Sequence, residues 1–301
     1  MGRSTEELHC SKYDEDLLKA RWAGLTFDND YIFGAVLRTN LEVCRRLLEA
    51  VLEVPINRVE LVATQRDLSV SQRAKSVRLD AYVEDGSGRV FDVEMQRNNE
   101  VHLPKRARYY QSIMDTEQLD KGVGFDDLPE TYVIFFCTFD PFGRGLRKYT
   151  YRQTCIEDGS TESWDETTRI FLNAKGRTGT VSEDLQGVLD YLAGHNDREG
   201  DLIKDIESTV SEVLSSEANR RDFMKYEADL MSARRSAAAE GRAEGRAEGR
   251  AEGRAEGEES AYEKMARLST RLSEAGRSDE LALAMQDSAV RERLFREFGI
   301  G

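Results

Sequence analysis

Residues 78–96 constrain the fold most, because they have the pattern of two strands joined by a tight turn. Segments 78–83 and 90–96 are rich in apolar, β-branched and aromatic residues, and two glycines lie in the segment 84–88 between them. Strands with so much apolar surface are typical of the interior of an α/β layer. The hairpin therefore predicts a sheet that other elements cover.

Acidic side chains interrupt this apolar hairpin. Successive side chains of a strand point to opposite faces, so Glu94 and Gln96 share one face, and Asp80 can point to that side from the first strand. Converging carboxylates suit a hard, oxygen-preferring cation such as Mg²⁺ better than they suit a core. The alternative is that the acidic residues simply line an ordinary solvated face of the hairpin. The many apolar residues around them argue against this alternative, but Asp92, which shares the face of Glu94, weakens that argument.

Length and composition set the broad class. A chain of 301 residues can form one large domain or two ordinary ones. The 39% hydrophobic and 33% charged content indicates that part of the chain buries little surface. No apolar run approaches the roughly 20 residues of a membrane helix. Residues 1–20 are polar and acidic and lack the apolar core of a signal peptide, so we expect a cytoplasmic protein without a membrane partner.

Several kinds of site are disfavoured by the motif content. None of the four cysteines forms a CxxC pair, and the three histidines are isolated, which argues against a zinc site or a disulfide framework. The sequence contains neither a P-loop nor the glycine fingerprint of dinucleotide binding, so no nucleotide cofactor is expected.

The charge balance bears on nucleic-acid binding. A formal charge of −14 argues against a protein that coats DNA through bulk electrostatics, because counterion release requires positive charge. A local basic cleft stays compatible with this balance, although such clusters are also common on solvated surfaces. The two candidate groups are Arg97, Lys105, Arg106 and Arg108, and Arg144, Arg147 and Lys148.

Hydrophobic periodicity predicts helices around a sheet. The predicted elements are two helices within residues 30–54, a helix at 105–119, and strands at 131–137, 149–156 and 169–173. The first two helices are expected to break near Thr39 and Asn40, and Pro55 ends the second. The order of elements predicts an α/β fold with a mixed central sheet flanked by helices, followed by a helical C-terminal region.

Composition divides the chain into five expected parts. They are a polar, loosely packed leader (1–25), an α/β domain (26–180), a helical extension (181–239), a repeat segment (240–257) and a C-terminal helical segment (258–301).

The repeat segment, residues 240–257, repeats Glu-Gly-Arg-Ala with a period of four. In a helix its like charges would lie four residues apart, and each glycine would cost about 1 kcal/mol relative to alanine, so a lone helix should be weak. Two interpretations stay open. The segment is either a solvated linker or an oligomerisation stalk, in which the alanine and glycine stripes let another helix approach closely.

Several motifs together carry a family resemblance. Leu79-Asp80, the glycine turn and Val93-Glu94-Met95-Gln96 are similar to the core of the PD-(D/E)XK nuclease superfamily, and more closely to its Rpn branch of recombination-promoting nucleases and transposases. That branch has Glu-Met-Gln where the superfamily has Glu-x-Lys. The likeness covers roughly residues 26–180 and extends to Asp30-Tyr31-Ile32-Phe33, Arg106-Ala107-Arg108-Tyr109-Tyr110-Gln111, Lys121-Gly122, Phe139-Asp140-Pro141-Phe142-Gly143 and Ile170-Phe171-Leu172-Asn173.

The resemblance implies a restriction-endonuclease-like fold and a metal-dependent DNA endonuclease associated with recombination or mobile elements. Asp80, Glu94 and the backbone carbonyl of Met95 are implied metal ligands, with Mg²⁺ as the expected ion and Mn²⁺ or Ca²⁺ as alternatives. Gln96 is implied to position the attacking water.

Residues on two helices are also implicated by the resemblance. Asp30 is a candidate outer-shell or second-metal acid, and Arg106 and Tyr110 are candidate DNA contacts. The structural alternatives are a surface salt bridge for Arg106 and core packing for at least one of Tyr109 and Tyr110.

The chain also departs from the family pattern. Leu79 replaces the proline before the first acid, Gly34 stands where the family often has lysine, and Gln96 supplies no positive charge where the superfamily has lysine. A second hypothesis is therefore a catalytically weak or inactive nuclease-fold module that binds DNA or protein partners. A third is a non-catalytic homo-oligomer assembled through the C-terminal helices and the repeat segment.

Overall fold

The computed structural model describes residues 17–62, 67–68, 77–99, 102–119, 124–159, 165–195 and 200–301. The chain divides into two compact units, which end and begin at Lys225 and Tyr226. Residues 1–16 of the expected leader, most of the polar stretch 65–76 and the Lys121-Gly122 motif lie outside the described residues.

The first unit contains two short helices in succession, α1 (Asp30–Thr39) and α2 (Leu41–Leu52). The Asn29 side chain accepts a hydrogen bond from the Ile32 amide, and the Asn40 side chain accepts one from the Val43 amide. Asparagine suits both positions because its side chain satisfies an amide of the first helical turn. The predicted break at Asn40 is confirmed, because this residue has an extended backbone.

A six-stranded mixed sheet forms the centre of the first unit. Its strands are β1 (Val59–Leu61), β4 (Ala81–Asp85), β5 (Val90–Gln96), β6 (Thr131–Cys137), β7 (Lys148–Tyr151) and β8 (Thr167–Asn173). They lie in the order β1-β4-β5-β6-β8-β7. The edge strand β1 pairs antiparallel with β4, β4 with β5, and β7 with β8, whereas β5, β6 and β8 run parallel. A separate two-stranded ladder joins β2 (Asp67–Leu68) and β3 (Val77–Arg78). The predicted mixed sheet flanked by helices is confirmed.

Helices cover both faces of this sheet. Helix α3 (Leu103–Gln118) connects β5 to the parallel strand β6, and a short 3₁₀ helix (Phe125–Asp127) lies on the same connection. The buried side chains of α3 pack on Val133, Phe135 and neighbouring residues of the sheet. On the opposite face, the Phe33 ring of α1 lies 5.5 Å from the Phe136 ring.

Two strand predictions need correction. The strand expected over residues 78–83 is interrupted, and Asp80 lies in a bend before β4. The Asp80 amide donates to Glu94 Oε1 at 2.9 Å and its carbonyl accepts from Arg38, so side chains take the hydrogen bonds that a ladder would use. The strand predicted at 149–156 ends at Tyr151.

The rest of the first unit is helical: α4 (Glu183–Leu192), α5 (Asp201–Ser215) and the beginning of α6 (Glu217–Glu274). Residues 17–23 are also helical, and Leu18 and Trp22 are buried. The Trp22 indole donates to the Leu214 carbonyl at 3.0 Å. The described end of the expected leader is therefore packed, and the expectation of loose packing is wrong there, because its apolar residues recur at helical spacing.

The second unit contains most of α6, with α7 (Asp279–Gln286) and α8 (Ser288–Glu297). Its core is small and consists of Leu268, Leu272, Ala284 and Leu294. The repeat segment lies within α6, and every side chain from 232 to 263 is exposed. Across the described parts of both units, no helix combines the length and apolar character needed to cross a bilayer.

Candidate active site: an acid cluster beneath helix α3

Three carboxylates, here called the acid cluster, meet at the hairpin: Asp80, Asp92 and Glu94. The Asp80 amide donates to Glu94 Oε1 at 2.9 Å, and the Met95 amide donates to Asp80 Oδ2 at 3.0 Å. These reciprocal bonds fix the bend before β4 against β5. The N–H and C=O of a strand residue point to the same side, so the Met95 carbonyl faces Asp80.

Asp92 is the deepest member of the acid cluster. Its side chain is fully buried, and neither carboxylate oxygen accepts a hydrogen bond from an N–H or O–H of the described residues. The Glu94 carboxyl is its polar neighbour and shares a proton with it only when one of the two acids is protonated. It lies opposite Tyr82 in the register of β4 and β5, on the same face of β5 as Glu94. A buried acid without a partner is costly in a core, because its charge loses hydration without compensation. Its placement therefore indicates a functional constraint on this face of the sheet.

Arg106 of α3 joins the two polar positions of the hairpin. Its Nη2 lies 3.0 Å from Glu94 Oε2, and its Nη1 donates to Gln96 Oε1 at 2.6 Å. Its Nε donates to the Tyr110 hydroxyl at 2.6 Å. The Arg106 side chain is only 29% exposed, and Glu94 is 1% exposed, so this ion pair is largely shielded from solvent.

Aromatic rings hold this guanidinium in place. The Arg106 guanidinium carbon lies 5.0 Å from the Tyr110 ring centroid and 5.4 Å from that of Phe135, within cation–π range. Tyr110 is itself buried, with its ring 5.9 Å from Phe135. The Tyr110 ring thus belongs to the packed layer, and its hydroxyl anchors Arg106.

Helix α1 approaches the acid cluster through Gly34. A Cβ at this position would lie 2.7 Å from the Asp80 carbonyl oxygen and 2.6 Å from Arg38 Nη1. The missing side chain lets Arg38 donate to the Asp80 carbonyl. Asp30 begins the same helix, and its charge acts on Asp80. The residue that departs from the family pattern at position 34 therefore has a direct structural reason.

The protonation equilibria of the acid cluster reflect burial and mutual repulsion. Burial raises the pKa of Asp80 well above its usual value, and the Glu94 charge raises it further. Burial, and then Asp92, raise the pKa of Glu94, although Arg106 opposes the shift. Burial, and then Asp80, likewise raise the pKa of Asp92. All three shifts favour the protonated, neutral form of these acids in the metal-free protein.

These residues suit a divalent cation chemically. Carboxylate and carbonyl oxygens are the donors that Mg²⁺, Mn²⁺ and Ca²⁺ prefer, and neither Asp92 oxygen accepts a hydrogen bond from an N–H or O–H of the described residues. Within the described ranges, no group of three or more His, Cys, Asp or Glu residues is already arranged to hold a metal ion. The fit therefore rests on donor chemistry, and Asp80, Glu94 and the Met95 carbonyl are the oxygen donors that would hold the ion.

The fold and the acid cluster together define a class of protein. Acids at the paired ends of two strands, on a mixed sheet flanked by helices, are the arrangement of a restriction-endonuclease-like domain. Residues 28–175 match the family model of the PD-(D/E)XK nuclease family transposase. No curated protein and no solved structure matches the chain. Residues 28–175 therefore belong to the PD-(D/E)XK nuclease family transposases, which indicates a nuclease or transposase-like role.

Sequence reasoning selected most of the residues that the structure brings together. One network of hydrogen bonds joins five of them: Glu94 links Asp80 to Arg106, and Arg106 donates to Gln96 and Tyr110. Arg38 and the importance of Gly34 were missed, although a spacing of four places both on the face of α1 that begins with Asp30, and this spacing was the available signal.

The two basic groups differ in their surroundings. Arg97 pairs with Asp28 at 3.1 Å, whereas Lys105 and Arg108 are exposed on α3. In the other group, Arg147 donates to the Gly179 carbonyl at 2.8 Å, and Lys148 donates to the Val51 carbonyl. The second group therefore serves partly to tie the fold together.

Proposed function

We propose that residues 26–180 form a metal-dependent DNA endonuclease that hydrolyses phosphodiester bonds, with Mg²⁺ as the working ion. The observation that carries the proposal is the acid cluster, in which half-buried Asp80 lies against buried Asp92 and Glu94, and Arg106 bridges Glu94 and Gln96. Perturbed acids clustered beside a polar helix are typical of a catalytic centre. Family membership supports the same reaction class.

Asp80, Glu94 and the Met95 carbonyl are the proposed metal ligands. The bound ion would lower the pKa of a water and stabilise the negative charge that develops on the phosphate. The reciprocal bonds between the Asp80 and Glu94 positions hold both carboxylates in place before substrate binds. Asp30, close enough for its charge to act on Asp80, is the proposed outer acid.

Gln96 is the proposed water-positioning residue. Its Oε1 accepts from Arg106, and its Nε2 donates to the Asn98 carbonyl at 2.8 Å, so the amide is held in one orientation. A carboxamide has two N–H donors and two lone pairs on oxygen, so one donor and one lone pair remain for a water. Gln96 can therefore orient the nucleophile without exchanging a proton with it.

The test is nicking of supercoiled plasmid in Mg²⁺ or Mn²⁺. We expect wild type to nick the plasmid only when the ion is added, and the double variant Asp80→Ala plus Glu94→Ala to be inactive. The matched control changes Asp126 and Asp127 to alanine, because both are exposed acids outside the acid cluster. Nicking that survives in the site variant, or no nicking by folded wild type over a range of metals and substrates, would contradict the proposal.

A second candidate function is a nuclease-fold module that binds DNA or protein without cleaving. One observation favours it: Glu94 already accepts hydrogen bonds from the Asp80 amide and from Arg106 within the chain. This module would retain DNA binding in a gel-shift assay while folded wild type leaves plasmid intact in every metal. Metal-dependent nicking rejects it.

We also propose a homo-oligomer formed through the C-terminal helices. The support is the continuous helix α6, whose residues 232–263 are all exposed. Removing the repeat segment should reduce the mass in solution measured by light scattering to that of the single chain. An unchanged assembly state would contradict this role of the repeat.

A further inference from the structure

The chain has no lysine at the position where the superfamily motif has one. Residue 96 is glutamine, which carries no charge at any pH used in an assay. Hydrolysis of a phosphodiester gathers negative charge on the phosphate in the transition state, and a preorganised positive group there accelerates the reaction. A site of this kind therefore needs a cation from another part of the fold.

Arg106 brings a guanidinium to the end of the Gln96 side chain. Arg106 Nη1 donates to Gln96 Oε1 at 2.6 Å, and Arg106 Nη2 donates to Glu94 Oε2 at 3.0 Å. The third donor, Nε, is held by the Tyr110 hydroxyl at 2.6 Å. A planar fork makes this bridge possible, since it presents several donors in a fixed geometry.

We propose that Arg106 is the relocated cation of the site, supplying from α3 the positive charge that a lysine at position 96 would supply from β5. This inference rests on the proposed nuclease function and adds to it the origin of the charge. Arginine stays protonated under all physiological conditions. Arg106 therefore acts by charge and by holding Gln96 and Glu94, and it moves no proton.

The rings around Arg106 strengthen this assignment. Tyr110 and Phe135 lie within 5.4 Å of the guanidinium carbon and exclude water from one side of it. An arginine that only contacted the DNA backbone from the surface would not need a buried tyrosine anchor. Arg108, two residues later on the same helix, is exposed and provides the comparison.

The proposal is tested by removing the positive charge at position 106 and introducing one at position 96 on β5. Four proteins are compared: wild type, Arg106→Gln, Gln96→Lys, and the double variant with both changes. Arg58→Gln is the matched control, because Arg58 is an exposed arginine outside both candidate basic groups. Plasmid nicking in Mg²⁺ gives kcat and KM, and thermal unfolding gives a second readout that does not depend on activity.

We expect Arg106→Gln to lower kcat by about 100-fold, the scale found when one charge-stabilising donor is removed. The double variant should recover most of the lost kcat and of the lost melting temperature, because Lys at position 96 again pairs with Glu94. Arg58→Gln should leave kcat and KM unchanged.

Two results would overturn the inference while leaving the nuclease proposal intact. One is an active wild type whose kcat is unaffected by Arg106→Gln. The other is a folded double variant that is as inactive as Arg106→Gln. If Arg106→Gln does not fold, the double variant decides alone: a folded, nicking protein supports the relocation, and an unfolded or inactive one rejects it. An inactive wild type rejects the nuclease proposal instead, and the recovery of melting temperature then still tests the charge relocation.

Discussion

The acid cluster and the repeat segment use the same kinds of charged residue in opposite settings. In the acid cluster, Glu94 is buried and pairs with Arg106 from a different element. In the repeat segment, every glutamate and arginine is exposed on one helix. Its like charges recur four residues apart, and inside residues 240–257 no glutamate lies three or four residues from an arginine. Arg246 accordingly donates to the Arg242 carbonyl at 3.1 Å.

The difference shows how burial decides what a charge contributes. Water screens the exposed charges of α6, so each interaction there changes the free energy by only a few tenths of a kcal/mol, about 0.2–0.5 per pair. In the acid cluster, the charges interact through packed protein, and the loss of one partner leaves another charge buried. The acid cluster therefore depends on the identity of each residue, whereas the repeat segment tolerates substitution.

The largest expected effect on stability comes from removing the Arg106 side chain, which pairs with Glu94 of the acid cluster. Arg106→Ala leaves Glu94 buried without its ion-pair partner and should lower the free energy of unfolding by about 3–5 kcal/mol. Arg250→Ala in the repeat segment should change it by less than about 0.5 kcal/mol, because that side chain is exposed. Urea unfolding of both variants measures the two values, and equal losses would break the comparison.

Gly34 gives the next largest effect. A methyl group at this position would meet the Asp80 carbonyl and Arg38, so Gly34→Ala should cost about 1–3 kcal/mol. Gly86→Ala is the matched control in the hairpin turn, because nothing lies within 4 Å of its added Cβ. Thermal unfolding compares the two, and a Gly34→Ala protein as stable as wild type would show that the close approach of α1 is not required.

Substitution of Asp92 is expected to raise the free energy of unfolding, whereas the two preceding substitutions lower it. Burial and the Asp80 charge disfavour the ionised form of Asp92, which lowers the stability of the fold at neutral pH. Asp92→Asn replaces this acid by a neutral amide and should stabilise the metal-free protein at neutral pH by about 0.5–2 kcal/mol. Asp126→Asn, at an exposed position, is the control and should have no effect. A destabilised Asp92→Asn protein would mean that the charge is compensated within the fold.

The smallest effect is expected in the repeat segment. Gly249→Ala places a better helix former at an exposed helical position with open space around the added methyl group. It should favour the helix by about 0.5–1 kcal/mol. Far-ultraviolet circular dichroism during heating measures the change, and unaltered or reduced helicity would contradict a helical repeat segment.

Much of the fold follows from sequence because its signals are local. Asn40 marks a helix boundary through its capping side chain, and residues 131–137 form a buried strand because they are continuously apolar and β-branched or aromatic. The break before β4 has no such local signal. It depends on Glu94 and Arg38, which take the Asp80 backbone hydrogen bonds from distant positions in the chain.

The candidate site was predictable from sequence where it depends on local alternation along a strand, and not where it depends on contacts between distant elements. Alternation on β5 placed Asp92, Glu94 and Gln96 on one face, and the structure has them so. Sequence alone gave no reason for Arg106 to reach both Glu94 and Gln96, because that contact depends on the packing of α3 over the sheet. The close approach at Gly34 likewise depends on how α1 lies against the bend at Asp80.

Direct cation binding tests the central claim that the acid cluster holds a divalent metal. Wild type, Asp80→Ala plus Glu94→Ala, and the control Asp126→Ala plus Asp127→Ala are titrated with Mn²⁺, and free Mn²⁺ is followed by electron paramagnetic resonance. We predict saturable binding by wild type and by the control, and its loss in the site variant. Equal binding by all three folded proteins, or no binding by wild type, would contradict the account.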